Sequence, residues 1–350
     1  MPKITLGSLS SDFVKIVLSG AKSGAAAHKI IIRPVEIKGV RQIQVEEFVG
    51  PQAFHKNMDI AAAEKYLGRV SKNFANVNIT RGTANLSHDR EKDYAFKDGV
   101  VIPPLVRLGI MDESGRVFKS KMDKFIQINN FISILGDAVR DIKTDGRLTI
   151  VDFCCGKSYL TFVVQYYFEH ILNRPVHITG IDSKSDVIKN CGDIKRELVC
   201  DNLDLVADDI NNFQPAGKID IALSLHACDI ATDAVLKKAV ALGATVILAV
   251  PCCHKQLAKQ IRPSGQNSEL DFILKYGLLR ERFAAILTDA LRAEWLAANG
   301  YKVDVLEFVD FDNSPKNVMI RAIRTGKKSN ADISKIAKEF NVQPEILKEG

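Results

Sequence analysis

The chain has 350 residues, 46% hydrophobic and 26% charged, with a formal net charge of +6. That length suits two domains, and a core of ordinary size makes a disulfide framework unnecessary. No apolar run approaches the roughly 20 residues of a membrane span, and Met1-Pro2-Lys3-Ile4-Thr5-Leu6 lacks a signal peptide's long apolar segment. All seven cysteines fall between Cys154 and Cys253, two pairs of them adjacent, which fits a reducing, cytoplasmic setting rather than a secreted framework. Most of the positive excess sits in the first hundred residues, while residues 146–324 are close to neutral. Such an excess is either a solvated surface or a face for a phosphate-rich partner.

In chain order, residues 13–18 read as a short strand. Residues 28–37 and 40–48 are rich in Ile and Val and are joined at Lys38-Gly39, the pattern of a hairpin. Pro34 has no N–H to donate and is expected at an edge or bulge. Residues 61–74 read as a helix, which makes 1–100 a small α+β domain. Residues 85–118, with Pro103-Pro104 and the turn Asp112-Glu113-Ser114-Gly115, read as a connection. In the helix that follows, Phe125, Ile128, Ile132, Leu135 and Val139 recur at helical spacing, and Lys121, Lys124, Gln127 and Asn130 lie off that stripe.

From Leu148 onward, apolar strands alternate with helices. The strands are expected at 147–153, 176–182, 203–207, 219–225 and 244–250, with helices at 158–172, 185–199 and 230–242. A helix at 281–298 and strands at 301–309 and 317–324 complete the series. Alternation of this kind builds a parallel sheet covered on both faces. The short connection at 311–316 permits only an antiparallel hairpin at its end. The resulting element order is that of a Rossmann-like class I methyltransferase, spanning 146–325, after a linking segment at 101–145. Residues 326–350 read as a polar tail with one short helix.

The loop Asp152-Phe153-Cys154-Cys155-Gly156-Lys157-Ser158 joins the first of these strands to its helix. In such sheets the ligand crevice lies beyond the carboxyl ends of the strands, where strand order reverses. A P-loop is excluded because its first glycine would fall at Val151, and a dinucleotide fingerprint needs three spaced glycines where only Gly156 stands. A loop of the Asp-x-Gly-x-Gly-x-Gly type fits better, with Cys154 and Ser158 in place of its first and third glycines. Asp182 ends the second strand, where a carboxylate can accept ribose hydroxyls. Asp208 and Asp209 follow the third strand, where an acidic group can accept the adenine amino group. Asp152, Cys154, Cys155, Gly156, Lys157, Ser158, Asp182, Asp208, Asp209 and Leu225 are therefore the candidate cofactor contacts.

Asp152 to Leu160, Ser224-Leu225-His226-Ala227-Cys228-Asp229, Pro251-Cys252-Cys253-His254 and Ser314-Pro315-Lys316-Asn317 together resemble a group of S-adenosylmethionine-dependent methyltransferases. That group includes eukaryotic methyltransferase-like proteins and is similar to tRNA 2′-O-methyltransferases with a Cys-Cys-His signature. The resemblance covers about residues 119–325, and residues 1–100 resemble an extension of bacterial members. It implies methyl transfer from S-adenosylmethionine and leaves the acceptor open.

The ends of the fourth and fifth strands should bring His226, Cys228, Asp229, Cys252, Cys253 and His254 into one crevice, and these are the candidate catalytic residues. His226 or Asp229 could act as a general base. Cys228 or Cys252, as a thiolate, could attack a pyrimidine ring. Cys252, Cys253, His254 and His226 could hold zinc, although adjacent cysteines are not the usual spacing; no metal is assigned. Packing with cofactor contact is the fourth reading. Asp289 and Arg292, one helical turn apart, are expected to pair, and Trp295 to be core. RNA is the expected substrate, with protein methylation and cofactor or partner binding without catalysis as alternatives. On the RNA reading, Lys29, Arg33 and Lys38 should begin a basic face leading to the crevice.

Overall fold

The structure is a computed structural model, describing residues 13–37, 40–50, 52–81, 94–140, 142, 146–225, 227–263, 270–308 and 318–348. It divides into two compact units, Met1–Asp93 and Tyr94–Gly350.

The first unit is a five-stranded antiparallel sheet with one helix. Its strands are β1 (Phe13–Ala21), β2 (Lys29–Ile37), β3 (Val40–Val49), β4 (Gln52–Met58) and β5 (Phe74–Arg81), in the order β4-β3-β2-β1-β5. Alternate residues Ile16, Leu18, Ile30, Ile32, Ile43 and Val45 build one core with Ala63, Tyr66 and Leu67 of helix α1 (Ile60–Val70). The Asp59 carboxylate caps α1 by accepting the Ala62 N–H at 2.7 Å. The expected hairpin is present as the β2–β3 pair, with its turn, Lys38-Gly39, outside the described residues.

Two expectations need correcting. The helix expected to reach residue 74 ends at Val70, and Phe74 already belongs to β5; β4 and β5 carry too few apolar residues to have been read as strands. Pro34 lies in β2, an interior strand rather than an edge. Yet β1 pairs with β2 only over Ile30–Ile32, so Pro34 sits where β3 alone flanks it, opposite Ile43.

In the second unit, α2 (Pro103–Arg107) and α3 (Met122–Val139) precede an alternating series. The series runs β6 (Leu148–Phe153), α4 (Tyr159–Tyr166), β7 (Val176–Asp182), α5 (Ser185–Glu197), β8 (Leu203–Ala207), β9 (Ile221–Ser224), α6 (Ile230–Ala241) and β10 (Val246–Ala249). It continues through α7 (Lys255–Gln260), α8 (Asp271–Leu274), α9 (Gly277–Ala298), β11 (Tyr301–Glu307), β12 (Val318–Arg324) and α10 (Ile333–Glu339). The seven strands stand in the order β11-β12-β10-β9-β6-β7-β8; β6 to β10 are parallel, and β12 is antiparallel to both neighbours. This is the Rossmann-like class I methyltransferase architecture with its antiparallel closing hairpin, and the α+β unit is separate from it.

The apolar strand runs follow from burial on both faces. In β6, Leu148 and Ile150 enter one core while Val151 and Phe153 enter the other, and β10 splits in the same way. The chain fills β6, β7 and β8 on one side and then crosses to β9 and β10. The switch point therefore lies between the carboxyl ends of β6 and β9.

Residues 94–118 are not a mere connection. Phe96, Ile102, Leu105, Ile110 and Met111 are buried with α3 and β6 in one core. The buried Asn129 side chain pins this strap by accepting the Phe96 N–H at 2.9 Å and donating to the Phe125 carbonyl at 3.2 Å. Composition hid the strap because its apolar residues follow no single period. The helix expected over 158–172 leaves α geometry at Tyr166 and finishes in a π turn over Tyr167–Ile171.

The carboxy-terminal segment is also more than a polar tail. Ile333, Ala337 and Val342 pack with α7 and α9, and Ile346 enters the core beneath α6. Backbone groups of Gln343 and Glu345 bond the side chains of Gln260 and Gln256, which fixes the outer face of α7. Substituting Ile346→Ala should lower the unfolding free energy by roughly 2–4 kcal/mol in urea titration. An unchanged midpoint would mean that this segment is only loosely applied.

Candidate active site

At the carboxyl end of β6, Cys154, Gly156 and Ser158 all have left-handed backbones, with φ of 54°, 55° and 53°. These are the three positions at which the expected loop pattern places glycine. Two side-chain-bearing residues thus hold a conformation that costs about 1–2 kcal/mol each. Neighbouring hydrogen bonds impose it: Cys155 N–H donates to the Ile181 carbonyl and Ser158 N–H to the Cys155 carbonyl, both at 2.9 Å. Gly156 N–H donates to Asp182 Oδ2 at 3.0 Å. Gly180 lets this loop lie against β7, because a Cβ there would meet Cys155 Sγ at 3.3 Å and Leu205 at 3.2 Å.

The acidic strand ends surround this loop. Asp152 is buried; its Oδ2 accepts from Thr161 Oγ1 at 2.5 Å, while Oδ1 has no partner among the described residues. Burial pushes its carboxyl up to about 7, opposed by the Thr161 bond. Ser224 Oγ, at the end of β9, is likewise buried without a partner among the described residues. Unmet polar atoms at a strand-end switch point mark where a polar ligand would complete the structure. Asp182 spends one lone pair on Gly156 and one on Lys184 N–H, leaving capacity for ribose hydroxyls. Asp208 and Asp209 follow β8, where each carboxylate caps a local turn. Lys157 points to solvent, and Leu225 is buried.

A stability prediction follows from Asp152. An unfolded carboxyl titrates near 3.8 and the folded one near 7, so the native state holds the extra proton between those values. Stability therefore falls as pH rises from about 4 to about 7, and the penalty is complete above that window. Asp152→Asn keeps the acceptor for Thr161 and removes the charge. It should raise stability at neutral pH by on the order of 2–4 kcal/mol, with the gain vanishing near pH 4. Equal urea midpoints across that range would contradict the buried-charge account.

The β9–α6 and β10–α7 turns carry the second cluster. The sulfurs of Cys228, Cys252 and Cys253 lie within 4.8 Å of one another, and Cys252 Sγ stands 3.7 Å from Cys253 Sγ. Hydrogen bonds from Cys253, then burial, push the Cys228 thiol up to about 12, which disfavours a lone thiolate nucleophile there. Burial does the same to Cys154, up to about 11, and raises Cys155 further.

His254 does not join that cluster. Its Nε2 lies 2.9 Å from both Asp289 oxygens. A carboxylate only accepts, so Nε2 donates to it and, in the neutral ring, Nδ1 is the acceptor. Asp289 is held in turn by Arg292, a fully buried guanidinium that also bonds both oxygens of Asp233 at 2.9 and 3.1 Å and the Asp229 carbonyl at 2.8 Å. The expected Asp289–Arg292 pair is thus present, and its connection to His254 is new.

Asp229 is less suited to general-base work than the sequence implied. Its carboxylate accepts the Gln256 N–H at the start of α7, and its backbone is held at φ 53°, ψ −117°. It anchors α7 to the turn after β9. His226, the other expected base, lies outside the described residues, as do Ser314-Pro315-Lys316-Asn317. Trp295 is half-buried and packs between two cores.

Pro251 to His254 form one wall of an open groove of about 1010 Å³, whose opposite wall is α9. Lys255, Lys259, Arg262, Arg280 and Arg282 line it, against the acids Glu281 and Asp289. The amino-terminal basic face is weaker than expected. Arg33 pairs with Glu46 at 3.5 Å, Lys29 lies over the Phe48 ring, and Lys38 is outside the described residues.

Comparison with known proteins agrees with the class defined by the sheet. Residues 123–260 match the family described as "Methyltransferase domain". This supports a class I methyltransferase with S-adenosylmethionine as cofactor.

Among curated proteins, a glutathione S-transferase C-terminal domain-containing protein of Xenopus laevis is 27% identical over 215 residues, covering 55% of this chain and 33% of its own. The chain thus spans about a third of the length of the curated relatives it matches. Among solved structures, an rRNA methylase from Streptococcus thermophilus is 11% identical with TM-score 0.36, covering 57% of this chain and 96% of its own. Magnesium protoporphyrin IX methyltransferase from Synechocystis with bound SAH is 14% identical with TM-score 0.35, covering 63% and 93%. No described helix is long and apolar enough to cross a membrane.

Proposed function

We propose that the protein is an S-adenosylmethionine-dependent methyltransferase acting on RNA, in the cytoplasm. The observation that carries this reading is the groove lined by five cations, with the His254–Asp289 pair in its walls. A cation-lined groove suits a phosphate-bearing chain, and its affinity should fall steeply with salt. Exposed Leu278, Ile286 and Val305 add apolar surface on which bases can rest.

S-adenosylmethionine supplies an electrophilic methyl group when bound. Asp182 would take its ribose, Asp208 or Asp209 its adenine, and Asp152, Ser158 and Ser224 the polar methionine end beside the Cys154–Lys157 turn. The chain's own catalytic work is positioning and proton transfer. His254 Nδ1 accepts the proton of the attacking hydroxyl or amino group. Asp289 fixes the tautomer and stabilises the imidazolium, and Arg292 holds Asp289. The amino-terminal unit, residues 1–93, serves substrate recruitment.

Incubating the protein and tritiated cofactor with total RNA and total protein from cells lacking the gene tests the reading. Label in RNA supports it. Label confined to protein would move the substrate class, and label in neither would favour a binding role without catalysis.

A further inference from the structure

Three thiols meet where two strand-end turns converge, and two of them, Cys252 and Cys253, line the groove. Cys228 comes from the turn after β9, and Cys252 and Cys253 from the turn after β10. The parallel register of these strands, with Ser224 opposite Ala249, brings the two turns together. Adjacent cysteines alone do not have the spacing of a zinc motif, and sequence reasoning grouped them with His254 and His226. His254 is committed to Asp289, and Cys228 supplies the third sulfur instead.

We propose that Cys228, Cys252 and Cys253 form a trithiolate site for one zinc ion, with the fourth position open to the groove. A tetrahedral zinc with Zn–S of about 2.3 Å places its sulfurs roughly 3.8 Å apart. The observed 3.7 Å between Cys252 and Cys253 matches that spacing, and Cys228 Sγ lies within 4.8 Å of both, so a small inward shift closes the set. A disulfide would need contraction to about 2.05 Å. Soft thiolate donors select zinc over magnesium or calcium. Each bound sulfur releases its proton to solvent, and no oxidant or reductant takes part. The ion would tie the β9–α6 and β10–α7 turns together where Asp229 already links them through Gln256. Three protein ligands leave one position for water or a substrate atom.

Cobalt(II) chloride, titrated into full-length protein purified with chelator and reductant, tests the site without any methyl transfer. Failure of the methyltransferase reading therefore leaves this result intact, and the reverse holds. One equivalent should bind with thiolate-to-cobalt charge-transfer absorption and tetrahedral visible bands, and zinc should displace it. Cys228→Ser, Cys252→Ser and Cys253→Ser should each weaken cobalt binding by roughly 100-fold. Cys200→Ser, at a buried thiol beside Gln165, should not. No charge-transfer band in the wild type, or wild-type affinity in Cys228→Ser, overturns the proposal. Should a serine variant fail to fold, zinc X-ray absorption of the wild type decides: three sulfurs support the site, and oxygen or nitrogen ligands alone refute it.

Discussion

Replacing Arg292 with methionine should cost about 3–5 kcal/mol of unfolding free energy, a large fraction of the roughly 5–15 kcal/mol that keeps a typical domain folded. The reason is the charge left behind. Arg292 is wholly buried, and its guanidinium satisfies Asp233 bidentately, Asp289 and the Asp229 carbonyl at once. Without it, Asp233 keeps a buried carboxyl, already pushed upward by burial. Lysine cannot reproduce the planar fork, so Arg292→Lys should recover little. Removing both charges, as Arg292→Met with Asp233→Leu, should recover part of the loss, because a buried ion pair is dispensable whereas half of one is not. Urea unfolding of the three variants measures this. A single substitution that left the unfolding free energy within about 0.5 kcal/mol of wild type would contradict the network.

The second large effect is catalytic. His254→Ala should lower kcat by roughly 100- to 10,000-fold, the ordinary contribution of a general base, with little change in KM or cofactor affinity. Asp289→Asn should lower kcat too, by releasing the tautomer, but it also disturbs Arg292 and so should lower stability as well. The pair separates proton transfer from scaffolding. An unchanged kcat in His254→Ala would remove His254 from the chemistry and return attention to His226.

The sheet was legible because its code is local. Apolar runs of strand length alternating with helical periods placed β6 to β12 within a residue or two at most boundaries. The strap at 94–118 and the closing segment at 326–348 were not, since their few apolar residues are ordered by what they pack on. Among site residues, the loop at 152–158 and the turns after β9 and β10 were legible from motif and strand order. Left-handed backbones at Cys154 and Ser158 account for the glycine pattern while departing from it in residue type.

The His254–Asp289 bond was invisible because the partners lie 35 residues apart and Asp289 had an obvious local mate in Arg292. Cys228 as third sulfur likewise depends on two strand ends meeting in space. Ser224 stood within a recognised motif, yet only its burial without a partner among the described residues marks it as part of the crevice.

The central claim is that the crevice between β6 and β9 takes S-adenosylmethionine. Calorimetric titration of the full-length protein with that cofactor tests it most directly. One equivalent should bind, and Asp182→Ala should weaken binding at least roughly tenfold, by about 1.4 kcal/mol or more, without lowering the unfolding midpoint by a comparable amount. Absence of binding heat in the wild type at several temperatures, or equal affinity in Asp182→Ala, would contradict the account.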